Sequence, residues 1–173
     1  MKPDSTTTVA GITVPSDDPV SLALVALHVA IALTCVIAGL GAILSNKGSR
    51  RHRAFGTTYY ACLAAVFASA TILSAMRWAE DAHLFVLGLL SFSAASFGRT
   101  AQRRNWRNAV RLHLAAMGTS YTLLLIAFYV DNGHSLPLWR ALPPVAYWLL
   151  PSVLGTLAIV YALVRHPLTR HSR

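Results

Sequence analysis

Carboxylates are almost missing from this sequence: six Asp and Glu stand against fifteen Lys and Arg in 173 residues. None of the six lies within an apolar run, so ion coupling through paired buried carboxylates has no residues to work with. Charge of any sign is scarce, at 12% of residues, where soluble domains carry about 25%. Cysteine is limited to Cys35 and Cys62, both inside apolar runs. A structural disulfide is therefore not expected, and each thiol reads as a small hydrophobe. No CxxC or CxxCH occurs, which excludes c-type haem attachment. No Ser/His/Asp set, Gly-rich phosphate loop or zinc-protease signature is present. A net charge of +9 would suit nucleic acid. The cations sit in short segments between apolar runs, however, without a helix-turn-helix, zinc knuckle or RNP signature, so no nucleic acid partner is expected.

What remains is apolar: 55% of residues are hydrophobic and the mean hydropathy is +0.52. Runs of about 20 apolar residues are the length that crosses a bilayer as a helix. The chain reads as an all-α integral membrane helical bundle of five transmembrane helices, over residues 20–44, 54–76, 82–98, 112–130 and 143–164. Residues 1–19, rich in Thr, Pro and Asp, read as a flexible extracytoplasmic tail and not as a signal peptide. Residues 165–173 form a basic tail. Arg77 to Asp81 reads as a short polar turn, Arg99 to Arg111 as a basic loop and Asp131 to Leu142 as a polar loop. Pro143-Pro144 opens the fifth span and Pro151 is expected to kink it.

Charge sets the expected orientation. Lys47, Arg50, Arg51 and Arg53 lie in one loop, Arg99, Arg103, Arg104, Arg107 and Arg111 in another, and Arg165, Arg170 and Arg173 in the tail. Those twelve cations fall on one side of five spans, and all six acids on the other. The positive-inside rule then gives N-out and C-in. Trp78 and Trp106 suit interfacial anchors.

Histidine carries the candidate chemistry. His52 sits where Arg50-Arg51-His52-Arg53 meets the second span, and the arrangement recurs about sixty residues on, where Arg111-Leu112-His113 enters the fourth. Both belong to the basic face. His28 and His83 lie toward the opposite face, His28 roughly 12 Å into the first span and His83 roughly 7 Å beyond Trp78 at 1.5 Å per residue. Each face thus offers two imidazoles from two helices. Bis-histidine ligation of a b-type haem needs such a pair, room for a flat macrocycle and cations for its propionates. Gly56, one turn from His52, gives room; Arg50, Arg51, Arg53 and Arg111 give charge. The candidate ligands are His52 and His113, with His28 and His83 as a second site for a haem or a quinone. The plain structural alternative is that these imidazoles cap helix ends, contact lipid head groups or hydrogen-bond a neighbouring helix. Small residues at helical spacing mark helix contacts: Ser21, Cys35 and Gly39 around His28, and Ser91 with Ala95. Met76 and Met117 read as packing residues.

The segment His52-Arg53-x-Phe55-Gly56-x-x-Tyr59, the upstream His28 and His113-x-x-x-Met117-x-x-Ser120-Tyr121 resemble a bacterial family of multi-pass membrane proteins, the domain of unknown function 2306 family. The family pattern has a basic residue directly after the fourth-span histidine, where this chain has Leu114. The resemblance implies a bacterial inner-membrane location and a helical bundle, with no established activity. In layout alone the chain is similar to cytochrome-b561-like bundles. Three function classes follow as expectations. The first is a haem-binding transmembrane electron carrier with a redox partner. The second is a non-enzymatic sensor or accessory subunit whose basic cytoplasmic face meets anionic lipid. The third is a small-molecule transporter.

Overall fold

The computed structural model describes residues 7–9, 12–14 and 19–165. The chain is all-α apart from a short antiparallel ribbon, β1 (Thr7–Val9) with β2 (Ile12–Val14), in the stretch expected to be a tail. The helices are α1 (Pro19–Leu44), α2 (Arg50–Met76), α3 (Trp78–Arg103), α4 (Ala109–Asn132) and α5 (Val145–Arg165). The shortest has 21 residues. At 1.5 Å per residue that is roughly 32 Å, against a hydrocarbon core of about 30 Å. All five are long and apolar enough to cross a membrane. The chain divides into two compact units, Met1–Trp78 and Ala79–Arg173. His166, His171, Arg170, Arg173, Lys2, Asp4, Asp17 and Asp18 lie outside the described residues.

Helices outrun the apolar spans at their polar ends. The stretch Arg77 to Asp81 is not a turn: α3 starts at Trp78, and only Arg77 separates it from α2. Glu80 and Asp81 fall in the first turn of α3, where negative charge complements the helix dipole. The basic loop expected over 99–111 shrinks to 104–108, because α3 runs on to Arg103 and α4 begins at Ala109. Cations in a last turn are favourable for the same reason. The helix α2 begins four residues before the apolar run. Gly48 turns the chain at φ +81°, and the Ser49 side chain accepts a hydrogen bond from the His52 amide at 3.1 Å.

Two asparagines make the 104–108 turn. Asn105 and Asn108 have φ of 50° and 62°, a left-handed region open to Gly and Asn but costly for branched side chains. Asn108→Val is expected to destabilise the chain by about 1–2 kcal/mol in detergent unfolding, with Asn108→Gly close to neutral. Equal stability of the two variants would show that the turn does not demand this conformation.

In the first unit, α1 and α2 form a hairpin. The buried residues of α1 are Ser21, Cys35, Ala38 and Gly39, the face expected around His28. Gly41 lies under the Phe55 ring, 2.8 Å from where a Cβ would stand, so the helices approach closely there. In the second unit, α3 buries Leu87, Ser91, Ala95, Gly98 and Ala101. A Cβ on Gly98 would meet that of Ala116 at 2.9 Å. On the other side of α4, a Cβ on Gly118 would meet Ile159 of α5 at 2.6 Å, and one on Gly155 would collide with Thr122. Pro143 and Pro144 immediately precede α5, and Pro151 lies inside it without ending it. The polar loop before α5 holds two short 3-10 turns, Gly133–Ser135 and Trp139–Ala141. There Trp139 stacks on Tyr129 with centroids 3.9 Å apart, and the Tyr147 hydroxyl donates to the Trp139 carbonyl at 3.3 Å. Met76, expected to fill a packing gap, is exposed at the end of α2, whereas Met117 lies beside Gly98.

Candidate functional site

His52 is the third residue of α2, and its ring faces the end of α1. Its Nδ1 lies 2.9 Å from the Ala42 carbonyl oxygen. A carbonyl only accepts, so Nδ1 carries the proton and donates it. That carbonyl belongs to the last turn of α1, whose C=O groups have no helical partner. Lys47 Nζ serves the same end, donating to Ala42 at 3.2 Å and Ile43 at 2.7 Å, while Ser45 Oγ donates to Gly41 at 2.6 Å. Desolvation there holds the Lys47 ammonium below the usual lysine value. The helix-capping role expected as the plain alternative for His52 is thus present. It fixes the ring tautomer, which leaves Nε2 as the nitrogen with the lone pair in the neutral ring.

His113, the fifth residue of α4, makes a corresponding bond in the second unit, to a carbonyl inside α3 and not in its last turn. Its Nδ1 lies 3.0 Å from the Gly98 carbonyl on α3 and donates to it. The absence of a side chain on Gly98 lets α4 come close enough for this bond. Seven residues further along each helix pair a second rung repeats. Cys35 Sγ donates to the Tyr59 carbonyl at 3.6 Å, and Ser91 Oγ donates to the Ser120 carbonyl at 2.9 Å. Cys35 precedes Ala42 by seven residues, as Ser91 precedes Gly98; Tyr59 follows His52 by seven, as Ser120 follows His113. The hairpins α1–α2 and α3–α4 are therefore built alike, each with a histidine clasp and a thiol or hydroxyl rung below it. The sequence carries a trace of this. Arg50, His52, Ala54, Thr58, Tyr60, Leu63 and Phe67 recur in order as Arg111, His113, Ala115, Thr119, Tyr121, Leu124 and Phe128. Sequence reasoning noticed the recurring Arg and His and missed the rest. It also treated Cys35 as a packing residue, although its thiol donates to the backbone.

The first hairpin has one rung more. His28, seven residues before Cys35, has Nδ1 at 2.7 Å from Ser69 Oγ on α2. That hydroxyl also lies 2.9 Å from the Ala65 carbonyl and 3.1 Å from the Val66 carbonyl. The second hairpin has Leu84 and Val130 at the corresponding positions. A double-mutant cycle of His28→Ala with Ser69→Ala is expected to give a coupling of about 0.6 kcal/mol, and no more than about 1.7, as for other hydrogen bonds between membrane helices. Strict additivity would remove the bond from the stability of the pair. His83 is exposed on α3, its ring centroid 6.4 Å from that of Trp148 on α5.

The remaining candidate residues surround the two clasps separately. Arg50, Arg51 and Arg53 are exposed on the first turn of α2 beside His52, and Arg111 is exposed on α4 two residues before His113. Gly56 lies one turn along α2 from His52, and a Cβ built there would meet no atom within 4 Å. Among the described residues no three His, Cys, Asp or Glu side chains come together as a metal site. Haem needs one or two axial imidazoles, and an imidazole whose other nitrogen donates to a carbonyl is the usual form of a ligating histidine.

These features define a class: an all-α protein with five membrane-compatible helices and a histidine clasp in each of two similarly built hairpins. Comparison with protein-family models, curated proteins and solved structures finds no match to this chain.

Proposed function

We propose that the protein is a multi-pass inner-membrane electron carrier that binds b-type haem through His52 and His113. The observation carrying this reading is the matched pair of Nδ1–H donations to Ala42 and Gly98. Each bond holds a ring at a set angle, and Nε2 is then the nitrogen that would ligate. Gly56 leaves open space beside one of the two rings. Arg50, Arg51, Arg53 and Arg111 provide exposed guanidiniums for propionate carboxylates. A haem bound there supplies one-electron redox chemistry. The protein's part is to orient the imidazoles, pair the propionates and keep the edge of the site apolar. A second haem, or a quinone, at His28 and His83 extends the reading toward transmembrane electron transfer to a redox partner. The deciding measurement is an absorption spectrum of detergent-purified protein, oxidised and dithionite-reduced. Sharp reduced α and Soret bands are expected; a colourless protein made with ample haem supply would end this reading.

The exposed arginines favour a second reading, an accessory or sensor subunit whose basic face meets anionic lipid. Arg103, Arg104 and Arg107 are exposed in and beside the turn after α3. Both readings share the N-out, C-in orientation in a bacterial inner membrane, which rests on the cation distribution. Reporter fusions at residue 105 and after residue 173 are both expected to read cytoplasmic. A periplasmic signal at either position would reverse the orientation.

A further inference from the structure

A furrow of about 560 Å³ runs along one face of α3 and α4, between Phe97 and Leu112 at one end and Leu90 and Leu123 at the other. It spans roughly 10 Å of α3 and roughly 16 Å of α4 at 1.5 Å per residue. Its walls are apolar, with Ser93 and Thr119 as the hydroxyl-bearing residues. We propose that this furrow binds one acyl chain of an anionic phospholipid, whose head group rests on the arginines at the Phe97–Leu112 end. The proposal rests on the second reading above, in which the basic face meets anionic lipid, and it shares Arg111 with the haem reading.

The comparison between the two hairpins carries it. In the register set by the clasps, Phe55 corresponds to Ala116 and Gly41 to Phe97. In the first hairpin the Phe55 ring lies against Gly41 while its outer edge stays 38% exposed. In the second the large and small residues are exchanged, and the aromatic does not fill the gap. Phe97 remains 47% exposed and turns its ring to Trp106, edge to face at 5.6 Å between centroids. Ala116 has too little volume to replace it. The first hairpin therefore lays its aromatic ring over the facing glycine, whereas the second leaves a furrow lined by Phe97 and Ala116.

Charge selects the occupant. Arg103, Arg104, Arg107 and Arg111 are all exposed near the Phe97–Leu112 end, and no Asp or Glu occurs from Ala82 to Val130. Guanidiniums recognise phosphate oxygens through paired N–H donors. A neutral amphiphile would use the furrow and leave that cationic end unmatched. A phospholipid with a net negative head group uses both.

The test is native mass spectrometry of the full chain released from nanodiscs containing equal phosphatidylglycerol and phosphatidylcholine. One bound phosphatidylglycerol is expected. Thr119→Trp, a substitution at an exposed position in the furrow wall, should abolish it without disturbing the helix contact. Arg103→Ala with Arg111→Ala should equalise the two lipids. Phe55→Ala opens the corresponding position beside Arg50, Arg51 and Arg53, and should add a second bound lipid. Retention of phosphatidylglycerol by Thr119→Trp, equal binding of the two lipids by the unaltered protein, or preferential capture of free fatty acid would each overturn the proposal. An unchanged lipid count in Phe55→Ala would remove the comparison on which it stands.

Discussion

His52→Ala and His113→Ala are each expected to abolish the reduced α band of the purified protein while leaving the helices folded. On the proposed ligation, removing either ring would take away one axial nitrogen, and the remaining histidine could not supply two. The structural cost is small by comparison. Each ring gives up a hydrogen bond to a main-chain carbonyl, in the last turn of α1 for His52 and inside α3 for His113, a net loss of about 1 kcal/mol for that bond. At the end of α1, Lys47 and Ser45 continue to satisfy neighbouring carbonyls. Circular dichroism and thermal unfolding should therefore remain near those of the unaltered protein while the spectrum disappears. Gly56→Leu separates function from fold more sharply. Nothing lies within 4 Å of the missing Cβ, so a helix-favouring side chain there should raise stability, by up to about 1 kcal/mol. The same side chain would stand one turn from His52, where the macrocycle needs room. Lost colour with retained or improved stability would support ligation at His52. Unaltered bands in both histidine variants would exclude the assignment, and His134→Ala, in the exposed loop before α5, serves as the control.

The largest stability effect is expected at Gly155. A Cβ at this position would collide with the Thr122 side chain of α4, which donates to the Gly118 carbonyl at 3.0 Å and has little freedom to move. Gly155→Ala should cost about 1–3 kcal/mol, the usual range for overpacking a close contact. Gly155→Leu should cost more, because α5 would have to separate from α4 along its length. Thr122→Ala removes the two nearest obstructing atoms, Oγ1 and Cγ2, but leaves the Cβ at 2.9 Å, and should recover part of the Gly155→Ala loss. Unfolding in a mild detergent reads all three variants. A Gly155→Ala protein as stable as the original would show that the two helices can part there at no cost.

Much of the helical layout was legible in the sequence because lipid-length apolar runs leave few alternatives. The buried face of α1 was legible too, since Ser21, Cys35 and Gly39 recur at helical spacing and small residues permit close approach. Helix ends were not. Apolarity marks where lipid lies, but hydrogen bonding decides where a helix stops, and α3 continues through Arg99 to Arg103 past the end of its apolar run. The clasps were legible only as a general alternative, an imidazole capping a helix end or bonding a neighbouring helix, and their acceptors were not legible. Their acceptors are main-chain carbonyls of Ala42 and Gly98, and a carbonyl has no residue identity to read. Nothing about a cysteine in an apolar run predicts that its thiol will donate to Tyr59. The repeat between hairpins was partly visible in Arg50 and His52 against Arg111 and His113. Its second rung interchanges Cys35 with Ser91, and its wall interchanges Phe55 with Ala116, so the likeness survives in three dimensions after the letters have diverged.

The seven-residue spacing of the rungs has a mechanical result. Seven residues are close to two helical turns, roughly 10.5 Å of rise, so both rungs fall on the same side of each helix. A pair of rods joined at one point can swivel about it. Joined at two points on one side, it can neither swivel nor roll, and only a slide that breaks both bonds together is left. His52 and His113 are each mounted on such a two-point joint. The heading of each imidazole is thus set by the helix pair before any ligand arrives, and thermal motion of the hairpin carries ring and helix together as one piece.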